Sequence, residues 1–180
     1  MHSPINDGME ALVRRWERPI GLFLAQMTSS RSLAEDLLQD TFLVAWRERA
    51  RLPEDPDAQR AWLYGIARHR ALAALRRGRR GREALARLAR RTSGIAEDPQ
   101  TARALAMRDL LVRTLSPEDR SLFVLRHVHG FDATALAELT GMTPSAVRKR
   151  LQRAGERMLA AHDRIEMTIE RKTAHVRAHA

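Results

Sequence analysis

From Met9 to Leu159 the apolar residues of this chain recur at spacings of three and four, and they almost never alternate. That period belongs to a helix with one buried face. Strands need a period of two and hairpins need Gly-rich turns, and both are missing, so the fold class expected is all-α. Met9, Leu12, Val13, Trp16, Ile20, Phe23, Leu24 and Met27 form a first stripe, with Pro19 inside it as a predicted kink or restart. In SLAEDLLQDTFLVAWRERA, residues 32–50, Ser32 and Glu35 fit a capping box. Leu33, Leu37, Leu38, Phe42, Ala45 and Trp46 form the buried face of that helix. The prolines and acids of RLPEDPDA, residues 51–58, predict a loop, with Asp57 as cap of a third helix whose Trp62, Leu63, Ile66 and Ala67 face inward.

The pattern then weakens. GRRGREALARLARRTSGIAEDPQ is rich in Gly and Arg, and cannot bury enough apolar surface to offset the entropy of ordering it. It is the expected flexible linker, over about residues 78–102, with a partial helix at GREALARLARR where Leu85, Leu88 and Ala89 share a side. The expectation is therefore two small helical domains, 1–77 and 103–161, with a tail at 162–180 that reads as a frayed helix. Four helices are expected after the linker. Ser116 caps one of them, with Pro117 at its first position and Gly130 as its stop. Thr143 and Pro144 open the last.

That last helix and the short one before it, joined at Gly141, have the form of a helix-turn-helix. Val147, Leu151, Ala154 and Met158 recur at helical spacing and pack inward on Leu136, Leu139 and Phe123. Arg148, Lys149, Gln152 and Arg153 are left together on the outer face. Arg forms paired bonds with guanine and with phosphates, and Gln can read adenine, so this is chemistry suited to base edges in a major groove.

Charge supports an anionic partner. The formal net charge is +10, and ten Arg against one Glu lie between Gly65 and Arg91, so the positive field is concentrated there. Other classes find little in the residues. There is no Cys, hence no disulfide or thiolate metal site. No HExxH pair, phosphate-binding Gly-rich loop or acidic cluster at metal spacing occurs, and neither enzyme, metal nor cofactor is expected. His127 and His129 are two apart and fall on different helix faces, as surface or interface residues. MHSPINDGME lacks a secretory signature and the longest uncharged run, Pro19 to Ser30, is too short for a bilayer, so no membrane insertion is expected.

AEDLLQDTFLVAWR, then WLYGIARHRALAALRR, a linker, and LSPEDRSLFVLRHVHGFDATALAELTGMTPSAVRKRLQRA together resemble the extracytoplasmic-function group of bacterial RNA polymerase sigma factors, in the sigma-70 family. The resemblance runs from about Met9 to Leu159, in the family's order. It implies a cytoplasmic, non-enzymatic promoter-specificity subunit whose regions 2 and 4 are the two helical domains. By the same resemblance, Asp36, Gln39 and Asp40 dock on a coiled coil of the largest subunit of the polymerase core. Leu52, Tyr64, Arg68, His69, Arg76 and Arg77 hold the melted strand at the minus-ten site of promoter DNA, with Arg79 and Arg80 as further phosphate contacts. For Tyr64 the core and DNA readings stand close together; for Trp62 the core is favoured. Arg148, Lys149, Gln152 and Arg153 read the minus-thirty-five element. An anti-sigma factor is a possible further partner. His69, Val44, Thr134 and Gly155 depart from the residues common in the family, so promoter preference does not transfer. The alternative is an autonomous helix-turn-helix regulator that binds duplex DNA without polymerase.

Overall fold

The computed structural model describes residues 4–85 and 99–178, with side chains at 8–78, 103–165 and 167. Helix α1, Pro4–Met27, passes through Pro19 without a restart. Proline forfeits one backbone bond and costs about 3 kcal/mol in a helix interior. Here Ile20, Phe23, Leu24 and Met27 follow at once and are fully buried, each contributing roughly 1.5–3 kcal/mol, which outweighs the break. Helix α2, Arg31–Arg47, is capped by Ser30, whose hydroxyl accepts from the Leu33 amide at 3.2 Å. The capping box expected at Ser32 does not form. Glu35 instead accepts from Arg31 at 2.8 Å on the exposed side. Leu37 and Ala45 are buried as expected, whereas Trp46 lies at the surface beneath the Arg49 guanidinium.

A 3₁₀ turn, Arg49–Arg51, leads to helix α3, Pro56–Leu85. Its cap is Asp55, not Asp57: the Asp55 carboxylate accepts from the Ala58 amide at 2.7 Å. Leu63 and Ala67 are buried, while Trp62 and Ile66 are half-buried. Residues 78–85, expected in the linker, continue α3 as helix. The remainder of the expected linker up to 98, including most of GREALARLARR, lies outside the described residues.

Helix α4, Pro99–Thr114, opens the second unit. Helix α5, Pro117–His127, has Ser116 as cap, with acids in its first turn and cations in its last, matching the helix dipole. Gly130 turns the chain at φ 71°. Helix α6, Ala133–Thr140, is capped by Asp132 and closed by Gly141 at φ 70°, the left-handed conformation that glycine adopts without strain. Helix α7, Pro144–Ala178, continues well past 161, so the expected tail is helical up to Ala178.

The helices α1, α2 and α3 pack as one bundle and α4 to α7 as another, and among the described residues there is no strand. The two bundles touch: α1 meets α4 and α5, and α3 meets α5 and α6. Their buried side chains form a continuous core. We call this arrangement closed.

Candidate core-binding and nucleic-acid interfaces

The helix-turn-helix is built from local chemistry. Gly141 ends α6, the Thr143 hydroxyl accepts from the Ala146 amide at 3.2 Å, and Pro144 starts α7. Val147, Ala154 and Met158 are buried, and Leu151 packs beside them with Phe123 and Leu139. The stripe read from the sequence therefore faces inward. Arg148, Lys149, Gln152 and Arg153 are all exposed and together, with the Gln152 amide donating to Glu156 at 3.0 Å. Arg150, in the same run of cations, turns back instead. It donates to the carboxylate of Asp119 on α5, which also accepts from Arg157 at 2.9 Å. Burial opposes ionisation of Asp119, yet bonds from Arg150, Ser116 and Arg157 outweigh it and hold the carboxyl below its ordinary value.

On α2, Asp36 and Gln39 are exposed and one turn apart. Asp40 is half-buried, because Arg70 of α3 donates to it at 2.6 Å. The three residues share a side of the helix, two of them open and one held by a neighbour.

The third expected group is split. His69, Arg76 and Arg77 are exposed, and Leu52 is half-buried against the core. His69 lines a cleft of about 680 Å³ with Trp62, Ile66 and Arg70, walled on the far side by α6. Tyr64 and Arg68 lie elsewhere. Tyr64 is only 1% exposed, among the rings of Phe23, Phe131 and His129. Its hydroxyl stands 2.7 Å from His129 Nδ1, and burial pushes its pKa up to about 12, so it stays protonated. Arg68 donates to the Ser121 hydroxyl of α5 at 3.0 Å, and burial lowers its pKa. In the closed arrangement the second unit thus buries Tyr64 and engages Arg68, which is half-buried, so neither is as open as a strand-holding group must be.

Sequence reasoning missed the residues that do the covering. Arg60 donates to the His129 carbonyl oxygen and lies over the Phe131 ring at 4.2 Å. His129 is pushed down to about 4, first by burial and then by the nearby Arg60 charge. The sequence signal was the helix stop HVHGFD, which marks a turn but not the surface it meets.

Among the described residues no cluster of three or more His, Asp or Glu is placed to hold a metal ion, and no helix is long and apolar enough to cross a membrane.

Fold and recognition helix define a helix-turn-helix protein of the kind that binds nucleic acid, with a second helical unit in front. The family follows from known proteins. Sigma-70 region 2 matches residues 12–81, and Sigma-70, region 4 matches residues 106–158. The chain is 32% identical over 167 residues to the RNA polymerase sigma factor CarQ of Myxococcus xanthus, spanning 92% of this chain and 95% of CarQ. It is 33% identical over 160 residues to the RNA polymerase sigma factor CnrH of Cupriavidus metallidurans, spanning 79% and 82%. Among solved structures, the fold is similar to the sigma factor RpoE of Bartonella quintana in complex with the anti-sigma factor NepR, with TM-score 0.69, 22% identity and coverage of 86% and 96%. It is also similar to CnrH in complex with the cytosolic domain of CnrY, with TM-score 0.65, 21% identity and coverage of 88% and 89%. The chain belongs to the sigma-70 family, in its extracytoplasmic-function group, and is an RNA polymerase sigma factor that directs promoter recognition and transcription initiation. The region 2 match removes the alternative of an autonomous regulator.

Proposed function

We propose that this sigma factor docks on the largest subunit of polymerase core through Asp36, Gln39 and Asp40, and reads the minus-thirty-five element with Arg148, Lys149, Gln152 and Arg153. The observation that carries the reading is the quartet on α7: four base- and phosphate-binding side chains exposed together on a helix whose opposite face is buried. The core-facing role of α2 is supported by the exposure of Asp36 and Gln39 in the closed arrangement. Docking can therefore precede any rearrangement.

His69, Arg76 and Arg77 stand ready for the minus-ten strand, with Leu52 in the adjoining loop. Tyr64 and Arg68 join them only after the two helical units separate. Opening is then part of the function, triggered by core binding and completed by DNA. An anti-sigma factor would act by favouring the closed form; structures similar to this one hold such partners. The functional units are residues 1–77 for core and minus-ten binding and 103–161 for minus-thirty-five binding, joined by 78–102, with 162–180 beyond them. The protein performs no catalysis itself and works in the cytoplasm, where polymerase is.

The test is transcription with purified core on a selected promoter. Core-dependent transcripts from that promoter, lost when its minus-thirty-five element is scrambled, support the reading. Transcripts that ignore that element would refute the assignment of α7.

A further inference from the structure

The apolar face of α7, with Val147, Ala154 and Met158 buried, packs the helix against α4, α5 and α6. A polar device lies on its flank. Asp119 is 6% exposed and lies in the first turn of α5, its amide bonded to the Ser116 hydroxyl at 3.2 Å. One carboxylate oxygen accepts from Arg150 and the other from Arg157. Those two arginines are seven residues apart, about 10 Å along the axis. A single fixed carboxylate gripping two points so far apart sets both the rotation and the axial position of α7.

The same grip sorts the cations. Arg150 adjoins Lys149 and lies one turn from Arg153. Turned back onto Asp119, whose one negative charge it shares with Arg157, it is held away from phosphates and leaves the base-facing positions to its neighbours. We propose that Asp119 is a specificity-determining positioning residue: through Arg150 and Arg157 it fixes the register in which Arg148, Lys149, Gln152 and Arg153 meet the bases, and withholds two cations from non-specific contact. The proposal rests on the reading of α7 as the minus-thirty-five helix.

Removing the charge should weaken selectivity while leaving general affinity intact or stronger, a combination that plain structural damage does not produce. The experiment measures binding of the core complex, with wild-type protein and with Asp119→Asn, to the selected promoter and to one with a scrambled minus-thirty-five element, across a salt series. Wild type must discriminate first; if it does not, the reading of α7 fails and not the role of Asp119. With discrimination established, Asp119→Asn is expected to lose about tenfold of it. Its affinity for the scrambled promoter should hold or rise, with a log–log salt slope steeper by about 1 to 2 as Arg150 and Arg157 become free to reach phosphates. Asp119→Glu, which keeps the charge, should recover most of the selectivity. Unchanged discrimination in Asp119→Asn overturns the proposal, and so does an equal loss on both DNAs at unchanged slope. Should Asp119→Asn fail to fold, Arg157→Gln decides. Its side chain is 47% exposed, so the fold tolerates the change, and about threefold loss of discrimination is expected against none if the proposal is wrong.

Discussion

Acidifying the free protein from pH 7.5 to 5.5 probes the contact that holds the two helical units together. His129 sits between them, with the Tyr64 hydroxyl on Nδ1, the rings of Phe23 and Phe131 nearby, and the Arg60 guanidinium as the charged group that faces it. Burial and Arg60 push its pKa down to about 4, against about 6.5 for a solvated imidazole. Its folded value is depressed, so the neutral ring favours closure, and that contribution fades as pH falls from about 6.5 toward 4. Across the two pH values the full linkage is about 1.3 kcal/mol toward the open form. The ring is only half-buried, and screening by the remaining solvent brings this to about 0.7 kcal/mol, or threefold in the ratio of open to closed. The chain has no Cys, so labels placed by Ser29→Cys and Leu159→Cys report the distance between units by energy transfer. A shift toward greater separation at pH 5.5 is expected. His129→Asn cannot titrate in this range and should lose the pH response, even if its mean separation differs at both pH values. A full response retained by His129→Asn, or none in the wild type, would mean that His129 does not couple pH to closure.

Asp36→Lys should weaken core binding at least tenfold, about 1.4 kcal/mol, with helicity unchanged by circular dichroism; equal affinity in a titration with labelled core removes the docking face. Arg148→Ala and Arg153→Ala should each cost roughly 1 to 3 kcal/mol where the contact is to a base, and relax preference at one promoter position in a competition assay. The Asp119 carboxyl lies below its ordinary value, so it stabilises the fold above about pH 4 and that stability is lost as the pH falls further; acid melting curves should show the loss in wild type and not in Asp119→Asn. Tyr64→Phe leaves His129 Nδ1 without its partner and should favour the open form by about 1 kcal/mol in the energy-transfer assay.

The recognition helix was legible because its determinants are local. Thr143, Pro144 and the Val147, Ala154, Met158 stripe lie within one element, and the period alone sorts inside from outside. Caps were legible only as types. The expected caps Ser32 and Asp57 lie inside the first turns of α2 and α3, and the capping bonds are made two residues earlier, by Ser30 and Asp55. For Tyr64 the sequence left the core and DNA readings close together, and for Arg68 it gave no sign of a partner. Their partners are 65 and 53 residues away, across a segment whose apolar pattern is weak, and a period of 3.6 cannot report that a helix is covered on a second side. For the same reason nothing in the sequence singled out Asp119, on which two arginines from a distant helix meet.

Whether the closed arrangement can yield depends on how well its polar groups are served. Beside the shared apolar core, directional bonds join the units: Arg60 to the His129 carbonyl, Tyr64 to the His129 ring, and Arg68 to Ser121. Against them stand buried atoms with no hydrogen-bond partner among the described residues: Trp16 Nε1 and Gln26 Oε1 on α1, Arg120 Nε on α5, and His129 Nε2. Each such atom costs roughly 1–3 kcal/mol when kept from water, about what one bond across the contact contributes. The same burial disfavours the charge on Arg120 and brings its pKa down to about 10. The apolar packing of the shared core, with the rings around Tyr64 within it, therefore has to supply most of the net closure, and that packing is what a competing partner must overcome. Under the proposed docking through α2, core polymerase would meet that requirement on a face that closure leaves open, because Asp36 and Gln39 are on the surface while Tyr64 is not. Docking there can begin on the closed protein and draw the units apart afterwards. An energy-transfer titration with core should then show separation rising with occupancy in wild type but not in Asp36→Lys at the same concentrations; separation that rises equally in both would sever opening from docking.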